Sequence, residues 1–188
     1  MKTILMTLLI LVGLAASAQK FSKVDKSPLD ICYYPNEFAH DRKFAPQKIG
    51  DDPAMIRVIY SRPSKNNREV FGTLVPYGKV WRLGANENTE IKLYRDAILG
   101  GQAVKAGTYT LFAIPEATEW TIILNKDLDQ WGAYSYDDKK DLVRFKARVS
   151  NSDAVIENFS MVIEKSEDGG VSMYLGWDHT VAMVPIKF

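Results

Sequence analysis

Apolar and polar residues alternate along much of the chain, most regularly in its second half. In residues 142–149, charged residues separate the apolar residues Val143, Phe145, Ala147 and Val149. A period of two residues is typical of a β-strand with one buried face. Shorter runs of the same kind predict further strands at residues 55–60, 89–94, 109–114, 120–124, 159–163, 171–177 and 181–186.

Turn signals separate these runs at intervals of about ten residues, a spacing typical of antiparallel sandwiches and barrels. We therefore predict an all-β fold, a single-domain antiparallel β-sandwich or barrel-like structure over residues 53–188. One short helix is predicted near residues 68–75, where apolar residues share a helical face. Residues 19–52 contain prolines at positions 28, 35 and 46, and they predict an irregular N-terminal arm.

The first 18 residues have the features of an export signal. Lys2 precedes an apolar run over residues 4–15, and Ala16-Ser17-Ala18 is a small-residue cleavage site. The run is shorter than the ~20 apolar residues that a membrane-spanning helix needs. We expect cleavage after Ala18 and a periplasmic or secreted protein with no integral membrane segment.

The charged, cysteine and histidine residues exclude several kinds of partner and chemistry. Only Lys2 of the 24 basic residues lies in the leader, so the rest of the chain has 23 basic and 23 acidic residues. This balance argues against nucleic acid as a partner. Two histidines and one cysteine, Cys32, are too few for a closed zinc site or Cys–His catalysis, so neither a metal nor a cofactor is predicted.

Asn125, Asp127 and Asp129 alternate as calcium ligands do, but a full calcium loop needs more carboxylates.

Residues 60–91 concentrate polar side chains among glycine, proline and aromatic residues. Arg82 presents a planar fork of donors that suits a carboxylate, sulfate or phosphate. Gly84 and Ala85 allow a ligand to come close to the backbone, and neighbouring amide and carboxyl groups can bind a sugar. The predicted ligand-binding residues are Arg62, Arg82, Asn86, Glu87, Thr89 and Trp131, and the predicted partner is a glycan or a small anionic ligand.

Two other interpretations of this cluster stay open. In the first, Arg82 or Arg62 pairs with Glu87 or Glu90 inside the fold, and the chain is a structural or interaction protein. In the second, the chain is a hydrolase in which Glu87 works with Glu90 or Asp178 as a carboxylate pair. The sequence contains no nucleophile elbow, zinc-protease pair or phosphate-binding loop motif. We therefore favour a non-catalytic module that binds a polar ligand.

Several long segments resemble a known family. They read YSRP, FGTLVPYGKVWRLGANENTEI, AGTYTLFAIP, EWTIILNKDLDQWGAY and GWDHTVAMVPI, and they lie within residues 47–186. On these motifs the chain resembles the domain of unknown function 2911 family, small exported proteins of the Bacteroidota. The resemblance implies an all-β fold and a bacterial envelope or secreted protein, and it implies no activity.

Overall fold

A computed structural model describes residues 19–50 and 54–188 of the chain. Within these residues the chain forms nine β-strands, two short α-helices and one 3₁₀ turn. The predicted leader, residues 1–18, lies outside the described residues. The elements in order are β1 (Leu29–Tyr34), α1 (Phe38–Phe44), α2 (Pro46–Ile49), β2 (Ile56–Ser61), β3 (Thr89–Leu93), β4 (Ala97–Leu99), β5 (Gln102–Val104), β6 (Gly107–Pro115), β7 (Glu119–Asn125), the 3₁₀ turn (Asp138–Lys140), β8 (Asp141–Lys165) and β9 (Val171–Lys187).

The strands form one antiparallel sheet in the order β1-β2-β3-β6-β7-β8-β9-β4-β5. Strand β8 is 25 residues long, and its first part pairs with β7 as far as Arg148. Its register with β9 shifts between Asn151 and Ile156 and again between Ile156 and Ser160. Irregularities of this kind bend a strand, and the second half of β8 reaches the opposite end of the sheet. The all-β fold class predicted from the alternating pattern is confirmed.

The end of β2 meets the second half of β8 along a seam. The backbone N–H of Met161 donates to the Tyr60 hydroxyl at 3.0 Å, and Arg62 Nε donates to the Phe159 carbonyl at 3.2 Å. The Phe159 N–H donates to the Pro63 carbonyl at 3.0 Å. Side chains therefore complete hydrogen bonds across the seam that a continuous backbone ladder would otherwise make.

An aromatic cluster fills the interior beneath the 81–88 loop. Trp81 stacks on Trp177 with ring centroids 5.9 Å apart, and it meets Trp120 edge to face at 5.8 Å. Phe159 and Phe71 pack against the same indole at 5.0 Å and 5.9 Å. All five side chains are buried. Pairs of this geometry add about 0.5–1.5 kcal/mol each beyond burial of area, so Trp81 holds the start of the loop firmly.

The prediction of a short helix near residues 68–75 is wrong. This segment forms a series of turns in which Phe71 and Val75 make an isolated bridge. Gly72 has φ of 92°, outside the helical region, and its N–H donates to the Val75 carbonyl at 2.9 Å. A helical pattern of apolar residues was present, but a glycine in this conformation prevents the helical ladder.

The residues predicted as an irregular N-terminal arm include regular structure. Strand β1 pairs with β2 from Leu29 to Tyr34, and α1 and α2 follow it. Asp30 joins the β1 edge to the seam through Arg62, which it contacts at 2.9 Å.

Helices α1 and α2 are 7 and 4 residues long. No helix among the described residues has the length and apolar character needed to cross a membrane.

Candidate functional site

The 81–88 loop begins in an extended conformation and then turns sharply. Trp81 exchanges two backbone hydrogen bonds with Ala113 of β6, at 2.7 and 2.9 Å. Leu83 then has φ of 55° and Gly84 has φ of 147°, two conformations that L-residues rarely adopt. A Cβ atom on Gly84 would lie 2.8 Å from the carbonyl oxygen of Ser61, so only glycine fits there. The loop is therefore pressed against the end of β2, with Arg82 between two fixed points.

A cleft of about 260 Å³ opens beside this loop, and we refer to it as the Arg82 cleft. Two arginines and two tryptophans are among its lining residues, and no acidic residue of the described chain lines it. Its lining residues are Ser27, Pro63, Arg68, Leu74, Val75, Trp81, Arg82, Gly84, Ala85 and Trp177.

The guanidinium of Arg82 has no partner among residues 19–50 and 54–188. Its Nε is buried and makes no hydrogen bond, and the side chain takes part in none of the ion pairs of the described residues. Burial lowers the pKa of Arg82 from its ordinary value, and the nearby Tyr134 hydroxyl opposes this effect only in part. A buried donor without an acceptor costs about 1–3 kcal/mol, so Arg82 is held in an unfavourable environment.

The second cation of the cleft, Arg68, is held in place by its own turn. Its Nε donates to the Lys65 carbonyl at 2.8 Å and its Nη2 to the Ser64 carbonyl at 2.5 Å. Lys65 in turn donates to the Arg68 carbonyl at 2.8 Å and pairs with Asp178 of β9 at 3.0 Å. Because its donors reach carbonyls only, the positive charge of Arg68 is not paired with a carboxylate of the described residues.

Arg62, which was predicted to share a site with Arg82, faces the seam instead. It pairs with Asp30 at 2.9 Å, donates to the Ser160 hydroxyl at 2.7 Å, and donates to the Phe159 carbonyl at 3.2 Å. These bonds satisfy the guanidinium within the chain. Arg62 does not line the Arg82 cleft.

The structure uses the polar residues that follow Arg82 in different ways. The Thr89 hydroxyl is buried and donates to the Leu83 carbonyl at 2.5 Å, which stabilises the positive φ of Leu83. Asn86 Nδ2 donates to the Asp25 carboxylate at 2.9 Å and so ties the N-terminal segment to the loop. Glu87 is exposed to solvent. Of these residues, none lines the cleft itself.

Trp131 lies on a second loop that pairs with the first. Its backbone forms a bridge with Glu87, and the Gly132 N–H donates to the Asn86 carbonyl at 2.8 Å. A Cβ atom on Gly132 would lie 3.0 Å from the Tyr134 ring and 3.5 Å from Arg82 Nη1. The second loop therefore packs directly on the outer side of the Arg82 guanidinium.

The three carboxylates considered for hydrolysis lie in different environments. Glu90 pairs with Arg57 at 2.9 Å on neighbouring strands. Asp178 pairs with Lys65 inside the fold, and its Oδ1 is buried without a hydrogen bond. Glu87 is exposed beside Trp131. None of the three lines the Arg82 cleft.

Two of the three residues considered for calcium, Asn125 and Asp127, are satisfied by their own chain, and the third, Asp129, is exposed. Asn125 donates to the Asp141 carboxylate at 2.7 Å, and its side-chain oxygen accepts from the Asp127 N–H at 2.8 Å. The Asp127 carboxylate pairs with Lys140 at 2.8 Å. These contacts fix the start of the second loop and leave few free oxygens for an ion.

One group of possible metal ligands was not foreseen from the sequence. Glu37, His40 and Asp41 of the α1 region place potential ligand atoms within 4.8 Å of one another. Asp41 already contacts His40 at 2.9 Å and Lys48 at 3.3 Å. Since these contacts satisfy the only buried carboxylate of the group, the cluster is explained as a local salt bridge.

Sequence reasoning also missed Ser27 and Arg68 as neighbours of Arg82. Ser27 precedes β1 and Arg68 lies in the turn segment after β2, so only the fold brings them to one cleft. The sequence contained a local signal only for the turn that carries Arg68. Asn66 and Asn67 both have positive φ, which asparagine tolerates better than most residues, but this says nothing about Arg82.

Comparison with known families matches residues 42–186 to a family described as "Protein of unknown function (DUF2911)". The matched range includes β2 to β9 as far as Ile186, together with both loops of the Arg82 region. No curated protein and no solved structure matches the chain.

Proposed function

Because the chain belongs to the DUF2911 family, whose description assigns no function, we propose a function from the site itself. In this proposal the protein is an exported, non-catalytic module that binds the carboxylate, sulfate or phosphate group of a polar ligand in the Arg82 cleft. The leader predicted at residues 1–18 supports export to the periplasm or the cell exterior. The candidate ligands are small anions and glycans that carry an acidic group.

The observation that carries this proposal is the unpaired guanidinium of Arg82. Its buried Nε has no acceptor among the described residues, whereas Arg62 has three hydrogen bonds. An anion in the cleft would accept from Arg82 in the two-bond geometry that guanidinium and carboxylate groups favour. The cost of keeping Arg82 unsatisfied would then be offset when the ligand binds.

The size and charge of the cleft support an anionic group. Its volume of about 260 Å³ equals roughly nine water molecules in the liquid, which admits one acidic group with a small attached ring. Arg68 and Arg82 provide two positive charges, and the acidic residues of the described chain stay outside the lining. Trp81 and Trp177 also line the cleft and are buried, and an ionic contact beside such apolar surface is stronger than one in water.

Thermal unfolding in the presence of anions tests the proposal. The probes are sulfate, phosphate, acetate and glucuronate, compared with chloride at equal ionic strength. A ligand at 100 times its Kd stabilises the folded state by about 2.7 kcal/mol, which raises Tm by roughly 5–10 °C for a domain of this size. We expect at least one probe to give a saturable shift of this kind in the natural protein, and none to do so in Arg82→Met.

Arg42→Met is the matched control. Arg42 is exposed on α1, and its side chain makes no hydrogen bond to any residue the structure describes. This variant should respond to anions as the natural protein does. If no probe shifts Tm, or if the shift survives in Arg82→Met, the proposal fails. If Arg82→Met does not fold, Arg82 is a structural residue and the interpretation as internal scaffolding replaces the proposal.

A further inference from the structure

We propose that the ligand is an acidic oligosaccharide, whose uronate carboxylate binds in the Arg82 cleft while an adjoining sugar ring stacks on Trp131 and Tyr134. This inference rests on the proposed function and extends it from an anion to a class of glycan. It is carried by two exposed aromatic side chains beside the cleft.

Trp131 and Tyr134 are exposed to an unusual degree for large aromatic residues. Their side chains are 59% and 85% exposed, although aromatic rings usually contribute to a core. They lie in one short loop, and Gly132 between them approaches both the Tyr134 ring and Arg82 Nη1. We refer to these two exposed rings as the aromatic platform, and the loop that carries them passes beside the Arg82 guanidinium.

The backbone of the loop that carries the platform is held in place before any ligand arrives. Asn88 N–H donates to the Gln130 carbonyl at 3.0 Å, and the Gln130 N–H donates to Asn88 Oδ1 at 3.0 Å. Asn88 Nδ2 also donates to Thr110 Oγ1 of β6. With the Gly132 bond to Asn86, these contacts fix the second loop to the first. Little conformational entropy is lost when a rigid surface binds a ligand, so this arrangement suits recognition.

The chemistry of the two surfaces matches the two faces of an acidic sugar. A pyranose ring presents C–H groups on its faces, which pack on aromatic rings, and hydroxyls at its edges, which bond to amide and carboxyl groups. Glu87 is exposed and its backbone is bridged to that of Trp131, so its carboxylate can accept from sugar hydroxyls near the platform. Its negative charge opposes a dense polyanion, so a chain with one acidic sugar among neutral sugars fits better.

Isothermal titration at fixed ionic strength tests this inference with three probes. They are glucuronate, a neutral xylo-oligosaccharide, and a xylo-oligosaccharide of the same length that carries one glucuronate. The acidic oligosaccharide should bind the natural protein at least about tenfold more tightly than either of the others, since stacking and the ionic contact act together.

Variants of the platform should separate the two contacts. Trp131→Ala and Tyr134→Ala should each weaken binding of the acidic oligosaccharide about three- to tenfold and leave glucuronate binding unchanged. Phe44→Ala is the matched control, because Phe44 is 71% exposed on α1 and lies apart from the lining of the cleft. It should bind all three probes as the natural protein does.

Each possible result decides one of the two proposals. If glucuronate or sulfate binds through Arg82 but the acidic oligosaccharide binds no more tightly, the glycan inference fails and the anion site stands. Equal affinity for the neutral and acidic oligosaccharides would refute the uronate contact. If none of the anionic probes binds, the proposed function itself fails.

Discussion

Arg62 and Arg82 carry the same side chain, and the structure predicts opposite effects when each is replaced by methionine. Arg62 donates three hydrogen bonds, to Asp30, Ser160 and Phe159. At about 1 kcal/mol net per bond, Arg62→Met should lower the free energy of unfolding by about 2–3 kcal/mol. The ion pair adds little beyond this, because both charged side chains are more than a third exposed.

Arg82→Met should leave the free energy of unfolding unchanged or raise it by about 1–2 kcal/mol. Methionine keeps an apolar stem of similar length and removes a buried donor that has no acceptor among the described residues. The backbone bond from the Thr89 N–H to the Arg82 carbonyl, at 3.3 Å, is unaffected by this change. A stabilising substitution at a binding residue is common, because sites keep groups that serve the ligand rather than the fold.

Urea unfolding of both variants measures this difference directly. The buffer contains chloride as its only anion, because a bound multivalent anion would stabilise the natural protein and hide the gain. The midpoint should fall for Arg62→Met and stay or rise for Arg82→Met, with equal m-values. A loss of more than about 1 kcal/mol in Arg82→Met would refute the reasoning, because it would show that the guanidinium stabilises the fold.

Three further predictions concern the loop, the seam and the N-terminal segment. Gly84→Ala should lower the free energy of unfolding by roughly 3 kcal/mol in urea, since it adds a strained φ and a 2.8 Å contact with a β2 carbonyl. Tyr60→Phe should cost about 1–3 kcal/mol in the same assay, because the Met161 N–H loses its acceptor. Hydrogen bonds from the Ser27 backbone and Asn86 lower the pKa of Asp25, so the contact with Asn86 persists above the unfolded pKa near 3.8 and is lost as pH falls through the folded pKa. Pepsin should then cut the segment before β1 more slowly in the natural protein than in Asp25→Asn above that pKa, and the two rates should converge as pH falls.

Each of these predictions has a result that contradicts it. If Gly84→Ala has the same free energy of unfolding as the natural protein, the loop is not pressed against β2. An unchanged midpoint in Tyr60→Phe would show that water replaces the hydroxyl at the seam. The ratio of the cleavage rates of the natural protein and Asp25→Asn cancels the pH dependence of pepsin itself, and a ratio that stays constant with pH would assign the effect to another group.

The strands were predictable because their signal is local. A period of two residues reports which face of a strand is buried, and it does so without knowledge of the partner strand. The pattern in residues 142–149 therefore predicted the first part of β8 correctly. The run at 159–163 predicted the later part of β8, and the run at 171–177 predicted part of β9. The sequence did not predict that these runs belong to long bent strands. An irregularity such as the one near Ile156 depends on how two strands pair, and that pairing is not a local property of the sequence.

The candidate site was predictable only in part, because the fold determines which distant residues lie next to each other. Sequence placed Arg62 and Arg82 in one polar stretch and gave no means to distinguish them. Asp30 and Ser160, which satisfy Arg62, are 32 and 98 residues away along the chain. The pairing of β2 with β1, and its closure on β8, decides that Arg62 is satisfied while Arg82 is not.

The helix predicted near residues 68–75 shows the opposite failure, in which a local signal was misleading. Phe71 and Val75 are four residues apart and both are buried, as a helix would require. The backbone reaches the same burial through turns, because Gly72 has positive φ and the Val75 N–H donates to the Val70 carbonyl at 2.8 Å. Periodicity of four residues alone does not distinguish these two conformations.

The central claim is that the Arg82 guanidinium binds an anion, and the resonance of its own Nε–H group tests this most directly. The Arg82 signal in a nitrogen–proton spectrum is assigned by its loss in Arg82→Met, and the Arg62 signal by its loss in Arg62→Met. Titration with glucuronate should move the Arg82 resonance in a saturable way, since an anion bound to the terminal Nη groups changes the surroundings of the adjoining Nε–H, and should leave the Arg62 resonance in place. An Arg82 resonance that does not move at any concentration of glucuronate or sulfate, or that moves together with Arg62, would contradict the account.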